Sequence, residues 1–334
     1  MSAENSTVVF PEPRRAVIET RDRPTPNADH VIVETERSLI STGTELTVYA
    51  GEYPTGSHWD EYGTYPFEPG YGNIGTVVDA GEDTEIAIGQ RVASRGPHAR
   101  FVAVDEASCV PVPDGVTAEE ASFHTLAAVV MNGIRRSRLA WGESVAVFGQ
   151  GLLGQLAVRL ASIAGARPIL GVDLAPDRLT YTPDTPAIIT VNPTKHDPAT
   201  VVREANGGRL ADITFEVTGN PDAVVDELDV LRREGRFVLL SSPRGETSFD
   251  FHDHCNWPSY EIIGAHDDSH PTIATPANPW TVARNTELFF RYVAEGDLEV
   301  ADLVSHRHHP TAAPDVYDAL LDDRTEHMGV VFEW

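Results

Sequence analysis

The alternation of apolar and polar positions divides the chain into three parts. Up to about residue 115, short alternating runs such as His30–Glu34, Gly75–Val78 and Phe101–Val104 are separated by turns rich in glycine and proline. This pattern predicts half-buried antiparallel strands. From about residue 117 to 266, continuous apolar runs alternate with helical or loop stretches, which is typical of the buried strands of a parallel sheet. Those runs are Val145–Phe148, Ile169–Val172, Ile213–Val217, Phe237–Leu240 and Glu261–Ile263.

The third part begins with a loop rich in His, Pro and Asp, Asp267–Pro279. A predicted helix near Thr281–Glu295 follows, and the last predicted strand is Gly329–Trp334. Because this part is too short for a domain of its own, we expect it to complete the first one.

These patterns predict an α/β fold with two domains. A mostly β domain is expected to comprise residues 1–122 and 267–334, and a doubly wound parallel sheet is expected to comprise residues 123–266. The 334 residues suffice for two well-filled cores.

The charge balance narrows the choice of partners. The chain has 51 acidic and 25 basic side chains, a formal net charge of -26, and Lys195 is its only lysine. So large an excess of one sign is better tolerated in concentrated salt, which shortens the Debye length to about 3 Å. We therefore expect a salt-adapted protein from a halophile. A phosphate backbone would meet a negative field, so no nucleic-acid partner is expected.

The sequence also indicates in which cellular compartment the protein is expected. No stretch approaches the roughly 18 consecutive apolar residues that a spanning helix requires. The first residues, MSAENSTVVF, lack the basic-then-apolar pattern of a secretory signal. We expect a cytoplasmic protein with no membrane partner. The two cysteines, Cys109 and Cys255, are too few for a disulfide framework or a four-thiolate zinc site.

A glycine-rich turn carries the clearest chemical signal. The segment GQGLLG directly follows the run Val145–Phe148 and opens a stretch with helical spacing. In such a turn the first glycine permits the tight bend, the second lets the backbone approach a pyrophosphate, and the third lets helix and strand pack closely. The predicted cofactor-binding residues here are Gly149, Gly151, Leu152, Leu153 and Gly154.

Acidic and hydroxyl residues follow the neighbouring strands. Asp173 ends the next apolar strand, where a carboxylate would accept hydrogen bonds from an adenosine ribose and repel a 2′-phosphate, which favours NAD over NADP. Arg178 lies five residues further on and could still reach a 2′-phosphate, so NADP stays open. Thr218 and Ser241 follow the runs that end at Val217 and Leu240, where either cofactor contact or an ordinary turn fits.

An all-β part followed by this glycine-rich unit resembles the medium-chain dehydrogenase/reductase superfamily of the zinc alcohol and polyol dehydrogenase type. The resemblance rests on the glycine turn and on four further segments: Ser41–Leu46, Pro66–Gly75, Gly89–Val92 and Gly235–Val238. It implies a GroES-like catalytic domain, a Rossmann domain, a cleft between them and hydride transfer to a nicotinamide.

The resemblance does not extend to the residues that bind zinc. Zinc-dependent members carry a cysteine and a histidine where this chain has Thr42 and Tyr71, and the neighbouring glutamate of the family is Gly72 here. The position of a further acidic ligand falls near His124, and one histidine does not replace three protein ligands. The four-cysteine structural lobe is missing between Val92 and Val102. We expect no zinc at either site.

Without zinc, other groups must act on the substrate oxygen. Thr44 matches the family hydroxyl that passes the substrate proton outward. Tyr71 either donates a hydrogen bond to a carbonyl oxygen or fills the space that the metal vacates. His124 and His98 are each either an acid or base, or a structural histidine. Thr44, Tyr71 and His124 are the predicted catalytic residues.

Two further histidine clusters compete as metal sites. In a strand, His252 and His254 would share a face while Cys255 points away, and no second ligand pair accompanies them. The segment His306–His309 is equally dense. In a chain almost without lysine, histidine also serves as a polar surface residue, and we therefore expect no metal at either cluster.

The sequence thus predicts an NAD(P)-dependent, zinc-independent oxidoreductase that interconverts a secondary alcohol, of a sugar or polyol, and its ketone. The segments ISTGTE and PGYGN resemble a zinc-free branch that includes bacteriochlorophyllide-type hydroxyethyl dehydrogenases. One alternative is a zinc-free enone or quinone reductase, and another is an NAD(H)-binding regulatory or assembly protein with little catalysis. A small-molecule substrate is the expected partner, and a homodimer or homotetramer is expected to pair through the strand near Glu261–Ala265.

Overall fold

The computed structural model describes residues 4–334 and divides the chain into two units. The first contains the chain up to Leu126 together with Thr281–Trp334, and the second is Ala127–Trp280. The loop 267–280, which the sequence assigns to the first domain, therefore lies in the second unit. Hydrogen bonds to the helix His124–Arg136 hold it there: His270 Nε2 donates to the Ala128 carbonyl (3.2 Å), and Asn132 Nδ2 donates to Ser269 Oγ (2.8 Å).

The strands and helices are numbered in chain order. The strands are β1 (Glu4–Glu12), β2 (Arg15–Asp22), β3 (His30–Leu39), β4 (Asn73–Ala80), β5 (Arg91–Ser94), β6 (Phe101–Asp105), β7 (Val110–Pro111), β8 (Val145–Phe148), β9 (Ile169–Val172), β10 (Ile188–Val191), β11 (Ala211–Glu216), β12 (Leu231–Leu239), β13 (Glu261–Gly264), β14 (Val304–His308) and β15 (Gly329–Glu333). The helices are α1 (Thr44–Ala50), α2 (His58–Tyr62), α3 (Ala118–Ala121), α4 (His124–Arg136), α5 (Leu152–Ile163), α6 (Pro176–Leu179), α7 (Pro198–Ala205), α8 (Val224–Glu227), α9 (Val282–Glu295) and α10 (Ala313–Asp322).

The first unit is built on a mixed sheet in the order β14-β15-β3-β4-β5-β7, beside the hairpin β1-β2. Strand β3 is its hub: β4 pairs along one edge, while β6 pairs with residues 30–34 and β15 with residues 37–39. The antiparallel strands predicted from the alternating sequence patterns are thus present as β3, β4 and β6. Strands β14 and β15 bring the C-terminal part of the chain back to this sheet, as expected from the sequence.

An aromatic cluster joins the hairpin to two helices of the first unit. The ring of Phe10 on β1 meets Tyr49 of α1 at 5.1 Å and Tyr317 of α10 at 4.8 Å, measured between ring centroids. All three side chains are fully buried. Because edge-to-face aromatic packing is directional, this cluster fixes α1 against α10. Helix α1 begins at Thr44, so the same packing positions the candidate catalytic hydroxyl.

The second unit is a parallel sheet in the order β10-β9-β8-β11-β12-β13. Strands β8 and β9 lie at the residues predicted from their apolar runs, and β9 is buried along its whole length. The α/β fold with a GroES-like and a Rossmann unit is therefore confirmed. The sequence did not reveal β10, because this strand at the sheet edge is largely half-buried or exposed and lacks a continuous apolar run.

Within residues 4–334, none of the helices combines the length and the apolar composition needed to cross a bilayer. Helix α9 starts one residue after the predicted start, because Thr281 lies outside the helix as its N-cap and its side chain accepts a hydrogen bond from the Arg284 N–H (3.3 Å). Cys109 and Cys255 are both free thiols.

Candidate active site

The glycine turn joins β8 to α5 and leaves one position open. Gly149 has φ +93°, a conformation that glycine adopts without strain, and a Cβ there would lie 2.9 Å from the Val217 carbonyl carbon. A Cβ on Gly154 would lie 1.8 Å from the Gly149 oxygen, so this glycine is required for helix and strand to pack. A Cβ on Gly151 would meet no protein atom within 4 Å. Packing within this unit therefore requires the first and third glycines, and the second leaves room for a ligand.

Helix α5 begins directly after that opening. Gly151 is its N-cap, and Leu152 and Leu153 form the start of the helix. The first N–H groups of a helix have no intrahelical acceptor and carry a partial positive charge, so they suit a phosphate group. The side chain of Leu152 is buried, which leaves its backbone as the part available to a ligand.

Asp173 links the glycine turn to the end of β9. Its Oδ2 accepts a hydrogen bond from the Gln150 N–H (2.7 Å), and its Oδ1 accepts one from the Ala175 N–H (2.8 Å). The Arg178 guanidinium lies 3.9 Å from Asp173 Oδ2, so its charge is directed toward this carboxylate. The structure thus brings Asp173 and Arg178 together beside the turn that was predicted to bind the cofactor.

A buried glutamate joins the ends of β11 and β12. The hydroxyl groups of Thr218 and Ser241, both predicted to bind the cofactor, donate hydrogen bonds to the carboxylate of Glu216. The Glu216 side chain is fully buried. Both hydroxyls are therefore engaged within the protein, and their loops are held by a residue that was not among the predicted site residues.

Three hydroxyl groups meet in the first unit around Tyr71, the residue that the family resemblance places at a metal-ligand position. The Tyr71 hydroxyl donates a hydrogen bond to Ser41 Oγ and lies 3.1 Å from Thr44 Oγ1. The Thr125 hydroxyl donates to the Tyr71 carbonyl (2.6 Å) and so holds the tyrosine backbone. Ser41, Thr44 and Tyr71 are called the hydroxyl cluster below.

The chemistry of the hydroxyl cluster follows from the state of Tyr71. Burial raises the pKa of Tyr71 well above its usual range, against a smaller opposing effect of its hydrogen bonds to Ser41 and Thr44. The phenol therefore keeps its proton at ordinary pH. It is suited to donate a hydrogen bond to a substrate oxygen, and it is not suited to act as a base.

A second buried glutamate holds the loop that carries the cluster. Glu45 Oε1 accepts a hydrogen bond from the Ser41 N–H (2.7 Å). Its Oε2 accepts one from the Tyr317 hydroxyl and lies 3.1 Å from His98 Nε2. His98 Nδ1 lies 2.8 Å from Ser38 Oγ, so both ring nitrogens are engaged inside the unit. Of the two roles left open for His98, the structure favours the structural one.

His124 does not suit the predicted catalytic role. Its Nε2–H donates to the Ser94 carbonyl (3.2 Å), and its side chain is only 3% exposed. Burial, and to a lesser extent the charge of Arg95, lowers the pKa of His124 to about 3. The imidazole is therefore neutral at ordinary pH and anchored to a backbone carbonyl, which is a structural arrangement.

The donor set does not fit a catalytic zinc ion. Thr42 and Tyr71 offer hydroxyl oxygens where zinc would take a thiolate and an imidazole, and the Tyr71 oxygen holds its proton. His124 Nε2 is bound to a carbonyl. In the part of the chain that the structure describes, no group of three or more His, Cys, Asp or Glu side chains is placed to hold a metal ion.

The histidine cluster before β13 differs from the expected strand. Residues His252–Asn256 form a short helical turn, so their side chains diverge around it. His254 Nδ1 accepts a hydrogen bond from the Asp250 N–H (3.2 Å), while the Cys255 thiol donates to the Tyr260 carbonyl (3.6 Å). The three candidate metal ligands, His252, His254 and Cys255, are thus not directed toward one common point.

The histidines of β14 stack with one that the sequence pattern did not reveal. The rings of His306 and His308 are parallel with centroids 6.1 Å apart, and His327 stacks on His306 at 4.3 Å. Ring stacking brings the faces of the imidazoles together, whereas a metal ion is bound by ring nitrogens in the ring plane.

Comparisons with known proteins agree with this architecture. Residues 153–265 match a family model described as zinc-binding dehydrogenase. A D-guloside 3-dehydrogenase of Escherichia coli (strain K12) is 27% identical over 275 residues, which cover 80% of this chain and 78% of that protein. The chain is related to the medium-chain dehydrogenases of the zinc-binding type.

Solved structures extend the similarity in fold to the whole chain. A Sinorhizobium meliloti 1021 protein solved with NADP has a TM-score of 0.82 at 22% identity, and an alcohol dehydrogenase of Escherichia coli CFT073 solved with NADH has a TM-score of 0.80 at 16% identity. Each alignment covers 100% of both chains. The prediction of an oxidoreductase enzyme is confirmed. The zinc-free, bacteriochlorophyllide-type branch stays a prediction.

The buried neutral state of His124 predicts a specific loss of stability in acid. The unfolded imidazole protonates below about pH 6.5, whereas the folded one stays neutral down to about pH 3, so the unfolded state binds the extra proton in between. Stability therefore falls with acidification, by up to about 1.4 kcal/mol per pH unit. Between pH 7 and pH 5, urea unfolding should show a loss about 2 kcal/mol larger in the wild type than in His124→Gln.

His252→Gln is the matched control, because the His252 side chain is 68% exposed. This variant should keep the pH dependence of the wild type. Equal pH slopes for His124→Gln and the wild type would show that His124 is not held neutral.

Proposed function

We propose that this protein is an NAD(P)-dependent oxidoreductase that interconverts a secondary alcohol of a sugar or polyol and its ketone without a zinc ion at the reacting oxygen. The observation that carries the proposal is the hydroxyl cluster around Tyr71, a position that the family resemblance assigns to a metal ligand. The similarity to D-guloside 3-dehydrogenase supports a sugar-like substrate. The neighbours solved with NADP and NADH support a nicotinamide cofactor.

The residues of the second unit fit a dinucleotide. The open position at Gly151 and the first N–H groups of α5 would bind the pyrophosphate. Asp173 would accept hydrogen bonds from the adenosine ribose, and its charge disfavours a 2′-phosphate. Because Arg178 is already directed toward Asp173, we propose that NAD is preferred over NADP. When bound, the nicotinamide supplies the acceptor or donor of the hydride.

The hydroxyl cluster would act on the substrate oxygen. In ketone reduction, a hydride adds to the carbonyl carbon while negative charge grows on its oxygen. The protonated Tyr71 hydroxyl would turn its single O–H from Ser41 Oγ to that oxygen, and this hydrogen bond would stabilise the developing alkoxide. Thr44 would pass a proton to the alkoxide and take one from water. In the direction of oxidation, the alcohol proton would leave through Thr44 and the carbinol hydrogen would leave with its electron pair.

The cofactor and metal proposals share one experiment. Metal-analysed protein is titrated with NADH and with NADPH in molar KCl, with the fluorescence of the nicotinamide as the readout. We expect tighter binding of NADH than of NADPH and no stoichiometric zinc. Activity that disappears with a chelator and returns with zinc would contradict zinc independence. Turnover of enones but not of alcohols would favour the reductase alternative, and binding without any turnover would favour the regulatory one.

Removal of the Tyr71 hydroxyl should reduce turnover much more than substrate binding. We expect Tyr71→Phe to lower kcat by about 10²- to 10³-fold, the usual loss for one donor to a developing oxyanion, with little change in KM. Steady-state kinetics with a polyol or its ketone give both constants. Tyr53→Phe, which removes a hydrogen bond to the Gly63 carbonyl, is the control and should keep kcat within about twofold. Unchanged kcat in Tyr71→Phe would exclude this role.

We propose a homodimer that pairs through the free edge of β13. This strand ends the parallel sheet, and Ile262 on it is 39% exposed. The preceding segment exposes Phe251 (72%) and Trp257 (63%), an apolar content that favours burial against a second copy. Light scattering after size-exclusion chromatography in molar KCl should give twice the chain mass, and Ile262→Lys should shift it toward the monomer. A wild-type monomer would contradict pairing, and four chains would indicate an additional interface.

A further inference from the structure

We propose that Glu216 is a positioning residue whose buried carboxylate fixes the two strand-end loops over which the nicotinamide half of the cofactor binds. The inference rests on the proposed NAD(P)-dependent function. It assigns a role to a side chain that is fully buried and is expected to touch neither substrate nor cofactor.

The carboxylate is saturated with hydrogen bonds from two separate loops. Glu216 Oε1 accepts from the Thr218 N–H (2.7 Å), the Thr218 hydroxyl (2.7 Å) and the Gly219 N–H (2.8 Å). Its Oε2 accepts from the Ser241 hydroxyl, and the Glu216 carbonyl accepts from the Leu240 and Ser241 N–H groups, both at 3.1 Å. Hydrogen bonds to a charged acceptor are about twice as strong as neutral ones, so one side chain holds the ends of β11 and β12 together.

The position of these loops in the sheet identifies the half of the cofactor that they face. In a doubly wound sheet, each half of a dinucleotide lies over the carboxyl ends of one half of the strands. Strands β8 and β9 carry the glycine turn and Asp173, which fit the pyrophosphate and the adenosine ribose. Strands β11 and β12 lie on the other side of β8 and carry Thr218 and Ser241. The remaining half of the cofactor, the nicotinamide with its ribose, would then lie over the loops that Glu216 holds.

The two loops are in direct proximity. Gly219 has φ +70°, and a Cβ placed on it would come 3.9 Å from Ser241 Oγ. A movement of either loop would therefore change the surface that the other presents. An acceptor between them sets their separation, because the same carboxylate must reach donors on both.

A neighbouring glutamate offers a matched control. Glu227 on α8 is 2% exposed, and neither of its carboxylate oxygens has a hydrogen-bond partner among the described residues. Burial first, and then the charge of Glu216, raises the pKa of Glu227 to about 10. Glu227 is thus a neutral acid at ordinary pH. Glutamine is a close match to a neutral Glu227, whereas at Glu216 it replaces an acceptor oxygen by an amide donor that faces other donors.

The test compares two probes, NADH and ADP-ribose, which lacks the nicotinamide. Both are titrated in molar KCl against the wild type, Glu216→Gln and Glu227→Gln by calorimetry, and NADH also by nicotinamide fluorescence, with circular dichroism to confirm folding. We expect Glu216→Gln to weaken NADH binding at least tenfold and to change ADP-ribose binding by less than twofold. Glu227→Gln should leave both affinities within about twofold of the wild type.

Three results would overturn the proposal. If Glu216→Gln binds NADH as tightly as the wild type, the Glu216 carboxylate is not needed to position the two loops. An equal loss of affinity for NADH and for ADP-ribose shows that the substitution disturbs the whole cofactor site and not the nicotinamide half alone. If Glu216→Gln does not fold, Ser241→Ala removes one of the two tethers and should weaken NADH about threefold with ADP-ribose unchanged, so an unchanged NADH affinity there also overturns it. Wild-type protein that binds neither NADH nor NADPH would instead contradict the proposed function itself.

Discussion

A carboxylate that leaves water must find hydrogen-bond donors inside the protein, and each unit of this chain is organised around one that does. In the first unit Glu45 gathers Ser41, His98 and Tyr317 around its two oxygens. In the second, Glu216 gathers Thr218, Gly219 and Ser241. Loops that carry candidate functional groups would otherwise be free to move, since their own side chains are short. Among 51 acidic residues, these two are distinguished by full burial with a complete set of partners.

The arrangement of the hydroxyl cluster follows from this constraint. Glu45 fixes the backbone of Ser41, and Ser41 Oγ in turn accepts a hydrogen bond from the Tyr71 hydroxyl. A cluster of hydroxyl groups supplies directional hydrogen bonds but no Lewis acid, so it suits a carbonyl that needs orientation and a single proton donor. The neutral, anchored His124 adds rigidity beside it by its bond to Ser94. The chemistry that these groups suit is therefore hydrogen-bond donation from Tyr71, which keeps its proton, beside the hydroxyl of Thr44.

What the sequence predicts well is local. The glycine turn and the strands β8 and β9 depend on residues next to one another, so their patterns can be read directly. The roles of His124, His98 and Glu45 depend on contacts between distant positions: the Glu45 to Tyr317 bond spans 272 residues, and no pattern within one segment reveals it. The loop 267–280 belongs to the second unit because of bonds to α4, which its composition does not show. Strand β10 escaped prediction because half-buried edge strands lack a continuous apolar run.

The neutral acid Glu227 and the neutral base His124 contribute to the stability of their units with opposite dependence on pH. An unfolded Glu227 ionises above about pH 4.5 while the folded one keeps its proton to about pH 10, so this residue removes stability from the second unit as pH rises through that interval. His124 acts on the first unit in the reverse sense, because its stability is lost as pH falls from about 6.5 toward 3. Acidification from pH 6.5 to 4.5 therefore weakens one half of the chain through His124 and strengthens the other through Glu227. The stability of each unit therefore contains one buried-group contribution whose sign of pH dependence is opposite to that in the other unit.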